Sequence, residues 1–176
     1  MSRHLTEYNI VPAGAVIRIN LAWEDSLNKL AEHLDELTHH VFLDVPCGRK
    51  KPPNHHYSLD EIENMCVRYP NIKYVAVSQV EEVEDILPWV MSLGKAVRVV
   101  PKIESRRACE NITSILNCMG KPRTIMLDHD DLFQELTVSG GDGSTLYSHW
   151  INPLLRLCED LDVRVLRTAG VVFSTK

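Results

Sequence analysis

No stretch of this sequence approaches the roughly 20 consecutive apolar residues that a membrane span needs. The apolar run from Val11 to Ile17 is short and stops at Arg18, so neither a secretory leader nor a membrane partner is expected. No CxxC pair occurs among the five cysteines, Cys47, Cys66, Cys109, Cys118 and Cys158. Their odd number and scattered spacing argue against a zinc ribbon and a disulfide framework, and reduced thiols in a cytoplasmic protein are expected. Positive charge is not in excess: 19 basic against 24 acidic residues leave a formal charge of -5. That balance offers no nucleic-acid surface, and the cluster Arg49, Lys50, Lys51 is short and local. The glycines of Ser139 to Ser144 (SGGDGS) match neither phosphate-loop pattern. No linker and no internal repeat divides the 176 residues, so a single domain over 1–176 is expected, with 1–14 as an N-terminal arm.

What is present is an alternation of short apolar runs and helical periodicity. Val- and Ile-rich strands are expected at Ala15–Leu21, Val41–Val45, Lys73–Ser78, Val97–Glu104, Thr124–Leu127 and Val163–Leu166. Between them, apolar residues recur at helical spacing. Leu27, Leu30, Leu34 and Leu37 follow an Asp25 or Ser26 cap, and Leu59, Ile62 and Cys66 follow a Ser58–Glu61 capping box. Further helices are expected over Val80–Leu93, where Pro88 should kink or split the run, over Ala108–Met119, and over Trp150–Leu161 with Pro153 near the first turn. Near-continuous apolar strands separated by helices predict an α/β fold with a parallel sheet. A doubly wound sheet and a β/α barrel both fit the pattern.

In such folds sites gather at the carboxyl ends of strands. Two strands here end in charge: VRVVPKIES delivers Lys102 and Glu104, and TIMLDHDD delivers Asp128, His129, Asp130 and Asp131. Lys102 and Glu104 are two apart, so an extended strand points both the same way. Glu104 and Asp131 supply hard oxygen ligands suited to Mg²⁺ or Mn²⁺. A lysine beside such an ion stabilises charge developing on a substrate oxygen. Arg18 could hold a carboxylate or phosphate in bidentate fashion. Asp44 sits inside an apolar strand and needs a partner. Blander roles compete: Glu104 as a helix cap, Asp128 and Asp130 as a solvated loop end, the pairs His39–His40 and His55–His56 as exposed loop residues. His129 reads equally as a base or a salt-bridge partner.

At these residues the chain resembles the barrel domain of pyruvate kinase, from about Ile17 to Phe173. RINLAW, FLDV, YVAVS, VVPKIES, IMLDHDDL and TAGVVFS are similar, in order, to that family's strand-end motifs. The resemblance implies a parallel β/α barrel of the pyruvate kinase type, here incomplete, with about six strands. It implies that Lys102 and Arg18 are catalytic, that Glu104 and Asp131 hold the metal, and that Ser78, Asn20, Asp44 and Thr168 line the substrate pocket. It also implies K⁺ at Asn20 and Asp44, but Ala22 replaces the family's serine ligand. Gly170 stands where the family has a proton-relaying threonine, Asp130 replaces a glycine, and the loop from Cys47 to Tyr57 is too short for the family's lid domain. PKIES, ENI and DDL also resemble the citrate-lyase and aldol-lyase group, which has no lid.

With the charged strand ends, these resemblances imply an enzyme that needs Mg²⁺ or Mn²⁺ and acts on pyruvate, an enolpyruvate or another 2-oxo acid through an enolate, most simply a carbon–carbon lyase or aldolase. Phosphoryl transfer and a non-catalytic assembly subunit are the alternatives. A homo-oligomer, or a partner chain, is expected to cover sheet edges that missing strands leave open.

Overall fold

The structure is a computed structural model that describes residues 14–48, 53, 55–138, 140 and 142–167. Nearly all of the expected arm, Thr168 and the TAGVVFS segment lie outside the described residues.

Six strands form, close to the predicted positions: β1 (Val16–Asn20), β2 (His40–Val45), β3 (Ile72–Val77), β4 (Arg98–Ile103), β5 (Thr124–Leu127) and β6 (Arg164–Arg167). Between them run α1 (Leu27–Asp35), α2 (Leu59–Arg68), α3 (Val83–Leu93), the short pair α4 (Arg106–Glu110) and α5 (Ile112–Asn117), then α6 (His129–Val138) and α7 (Gly143–Asp160). The sheet order is β1-β2-β3-β4-β5-β6, and every neighbouring pair is parallel. Each crossover therefore steps the same way. Right-handed crossovers in one direction place all the helices on one face of the sheet.

Alternation along the strands shows the consequence. Ile19, Val41, Leu43, Val45, Val75, Val77 and Val99 pack outward on Leu30, Leu34, Ile62, Met65, Ile86 and Leu93 of α1, α2 and α3. Ile103, Ile125 and Leu127 pack on Leu132, Leu136, Ile151, Leu154 and Cys158 of α6 and α7. Among the described residues the other face has no helices, yet Phe42, Ala76, Val100 and Met126 are buried there against one another, with Tyr74 and Leu166 beside them. Side chains of adjacent strands can bury each other in this way only if the sheet curls around them. The result is an open, curled half-barrel.

The expected barrel is corrected on this point. Among the described residues β1 and β6 each pair with one neighbour only, so the sheet does not close. The α/β class and the parallel sheet stand; a barrel of the pyruvate kinase type does not.

Local signals explain most elements. Ser26 caps α1 by accepting from the Lys29 amide at 3.3 Å. The Ser58–Glu61 capping box forms in full. Pro88 does not split α3, which spans Val83–Leu93 in one piece. The helix expected over Ala108–Met119 is instead divided at Asn111, whose side chain donates to the Glu81 carbonyl at 2.9 Å. Helix α7 begins seven residues before the expected Trp150, with Asp142 as its cap, and so places Pro153 in its interior. Between β2 and β3 the register slips at Val41/Phe42, so that Lys73 is an extra, bulged residue.

Leu43 is fully buried in the central part of the sheet. Leu43→Ala removes a packed side chain without altering the strand pattern. A loss of about 2–5 kcal/mol in urea unfolding is expected, and a loss below about 1 kcal/mol would show that the outer-face core is not as tightly packed as described.

Candidate functional site

The inward positions at the carboxyl ends of β2, β3, β4 and β5 converge on Lys102. Its ammonium lies 2.6 Å from Glu104 Oε1, 3.3 Å from Asp128 Oδ2 and 3.6 Å from Asp44 Oδ1. It also donates to Ser78 Oγ at 3.3 Å. Lys102, Glu104 and Asp44 are all under 10% exposed, so bulk water screens these contacts little. Burial opposes the charged ammonium, but Asp44, Glu104 and Asp128 outweigh it and hold the Lys102 pKa above its ordinary value. The lysine is therefore a fixed positive charge at neutral pH.

Each partner is held in turn. Asp44, the charge expected to need a partner, has two: Lys102 on one side, and on the other the Arg18 guanidinium, whose Nε donates to Oδ2 at 3.1 Å and whose Nη2 reaches the same oxygen. Glu104 accepts from the Gln79 backbone N–H at 2.8 Å and from its side-chain amide at 3.0 Å. Gln79 adopts φ +57 to do so, a conformation uncommon outside glycine. Gly48, itself at φ +65, lies beneath it, where a Cβ would come within 3.3 Å of the Gln79 side chain. Glu104 is thus not a helix cap; Ser105 caps α4, accepting from the Ala108 amide at 3.1 Å.

Asp128 follows β5 directly, anchored by its N–H to the Ile103 carbonyl at 3.2 Å, and its own carbonyl starts α6. Asp131 stands three residues later in the first turn of that helix, on the same side. Glu104, Asp128 and Asp131 each present a carboxylate oxygen within 4.8 Å of the others. A buried, a half-buried and an exposed carboxylate on two adjacent strand ends form a hard-oxygen donor set that suits Mg²⁺ or Mn²⁺. Of the residues named from sequence, Lys102, Glu104, Asp131, Arg18, Asp44 and Ser78 come together at this end of the sheet.

Other residues behave differently from expectation. Asp128, which reads from the sequence as a solvated loop end, is both a Lys102 partner and a member of the carboxylate cluster. Asp130 is exposed and outside that cluster, as the bland reading has it. Asn20 turns to local use: its Oδ1 accepts from the Ala22 amide at 3.0 Å and caps the short 3-10 turn Leu21–Trp23. Nothing in the sequence marks Gln79, whose role rests on its positive φ. His129 lies beside Tyr147, with ring centroids 5.6 Å apart, and burial and the nearby Arg167 push its pKa below the ordinary value. Cys47 borders the cage, but burial and the Asp44 and Glu104 charges push its pKa up to about 11, so it stays a thiol. His55 lies 3.7 Å from Asp25, away from the cage.

No family model matches the chain, and no curated protein matches it in sequence. In structure it is similar to RipC from Yersinia pestis, at 15% identity and a TM-score of 0.57, over 86% of this chain and 68% of that one. The likeness shows the fold alone. It is one of 113 matching solved chains, and a fold so widely shared selects no chemistry. The resemblance to pyruvate kinase is thereby overturned: no family model carries it, a solved structure similar to the chain is RipC, and among the described residues the sheet is open.

Removing the ammonium leaves Asp44, Glu104 and Asp128 facing one another with little solvent. Lys102→Met is therefore expected to lower stability by about 3–5 kcal/mol in urea at neutral pH. A variant as stable as the parent would show that the carboxylates do not depend on Lys102.

Proposed function

We propose that the protein is a divalent-metal-dependent enzyme that acts on pyruvate, an enolpyruvate or another 2-oxo acid, making or breaking a carbon–carbon bond through an enolate. The observation that carries the reading is the buried Lys102 ammonium set between Glu104 and Asp128, beside a cluster that could hold one ion. A carbon–carbon bond that breaks next to a carbonyl leaves its electron pair on the carbonyl oxygen as an enolate. A fixed cation in a low-dielectric site stabilises that oxygen as charge develops, without reorganising. Lys102 meets this requirement, because its charge is already in place and its position is set by four partners.

Glu104, Asp128 and Asp131 would hold the metal; when bound, it supplies Lewis-acid polarisation of the oxo group. Arg18 is exposed at the rim and oriented by Asp44, so its remaining N–H groups can receive the substrate carboxylate. Gln79 fixes the Glu104 carboxylate and so positions it rather than reacting. Ser78 holds Lys102 from the β3 side. Five free cysteines accord with the expected cytoplasmic location, and among the described residues no helix is long and apolar enough to cross a membrane.

Among the described residues the outer edges of β1 and β6 are unpaired, which supports assembly. Edge strands present unpaired backbone groups, and natural proteins cover them. On this reading a second copy of the chain provides cover, and light scattering is expected to give the mass of a dimer or larger assembly; a monomer at micromolar concentration would overturn that part.

Oxalate mimics the enolate of pyruvate. Mn²⁺ and oxalate are expected to bind together to the wild-type protein, detected by calorimetry and by the Mn²⁺ paramagnetic resonance signal. Glu104→Gln should reduce Mn²⁺ affinity by about tenfold or more. Unchanged binding in that variant would remove the metal site, and with it the proposed chemistry.

A further inference from the structure

A cavity of about 620 Å³ lies at the opposite end of the sheet from Lys102, where β2, β3 and β4 begin. Among the described residues its wall carries His40, Lys73, Lys95, Arg98 and Lys121 and not one aspartate or glutamate. In a chain with 24 acidic and 19 basic residues, this segregation needs a cause. Among the described residues, none of these lysines nor Arg98 takes part in an ion pair. Like charges gathered in a concave wall repel one another, and the cavity focuses their field.

Helix ends explain only part of this. Lys95 and Lys121 follow the C-termini of α3 and α5, where the helix dipole favours cations. Two of the last carbonyls of α3 already have backbone donors, since Val90 accepts from Gly94 and Leu93 from Ala96 and Val97. Lys73 and Arg98 stand on strands, beyond that effect. Lys73 is the bulged residue of β3, and bulges re-aim side chains. Arg98 lies over the Tyr74 ring at 5.6 Å, and Tyr74 stacks on Phe42 at 5.8 Å. The guanidinium is thus supported from the apolar interior, with its donors left for something else.

We propose that this cavity binds a small phosphate compound with several negative charges, at a site separate from the Lys102 cage. A guanidinium fork and three lysine point charges match phosphoryl oxygens, and they exceed what a single carboxylate would use. A concave wall of this size suits a small molecule.

The probe is inorganic tripolyphosphate, titrated calorimetrically into the full chain in EDTA, so that no metal bridges it to the carboxylates. Saturable binding at one site is expected, weakening as salt rises. The double variant Lys95→Gln/Lys121→Gln changes two exposed residues in connecting turns and should fold as the parent does. It should bind tripolyphosphate about tenfold or more weakly. Glu104→Gln and Lys29→Gln should bind it like the wild type, which makes the outcome independent of the proposed metal chemistry. No saturable binding by the wild type, or equal binding by the double variant, overturns the proposal. So does a single-stranded oligonucleotide that binds the same residues more tightly than tripolyphosphate.

Discussion

The Lys102 ammonium ties four strands together at one point. Asp44 reaches it from β2, Ser78 from β3, Glu104 from its own strand β4 and Asp128 from the end of β5, while Arg18 extends the network to β1 through Asp44. Carboxylates this close and this buried repel one another strongly unless cations stand between them. Arg18 is exposed at the rim, so the interior balance rests on Lys102. With Asp131 included, four carboxylates face two cations in formal charge. The imbalance is two negative charges, the deficit that one divalent ion would neutralise.

That convergence depends on sheet topology. Strands added in sequential order with helices on one side leave the other face to line itself, which forces the curl. The inner face is then layered along the strands. Phe42, Ala76, Val100 and Met126 form an apolar floor, and the residues two positions further on in each strand, Asp44, Ser78, Lys102 and Asp128, form the charged layer above it. The floor excludes water from beneath the cage. Period-two alternation therefore supplies both the low dielectric and the charges within it.

Much of this was legible in the sequence, for identifiable reasons. Lys102 and Glu104 could be paired because two residues along a strand return to the same face, and Asp44 was conspicuous as a charge within FLDV. Asp128 was hidden because the run DHDD reads as a solvated end unless one sees that α6 begins at His129 and turns Asp128 and Asp131 to one side. The start of α7 was missed because glycine and serine in SGGDGS speak for a loop, whereas Asp142 accepts from Ser144 and Thr145 and starts a helix. Gln79 was illegible because its role lies in a backbone conformation, not in its residue type. Asn20 has a local use that its place in the strand pattern does not reveal: its Oδ1 accepts from the Ala22 amide, as asparagine before a helical turn commonly does.

A parallel β/α sheet also polarises the domain. The helices that open the crossovers, α1, α2, α3, α4 and α6, start at the carboxyl end of the sheet, and those that close them, α1, α2, α3, α5 and α7, finish at the amino end. N-termini favour the acids of the α6 first turn, Asp130 and Asp131, and C-termini favour Lys95 and Lys121. The fold thus helps to sustain an acidic upper end and a basic lower one. For the proposed chemistry this polarity has a cost, because a 2-oxo acid is an anion approaching an end where carboxylates outnumber cations. Lys102 and Arg18 are each already engaged with carboxylates, so neither alone can reverse the sign of the field. On the proposed reading, cation binding must therefore precede or accompany substrate binding, and the order follows from charge balance at the strand ends rather than from any gate.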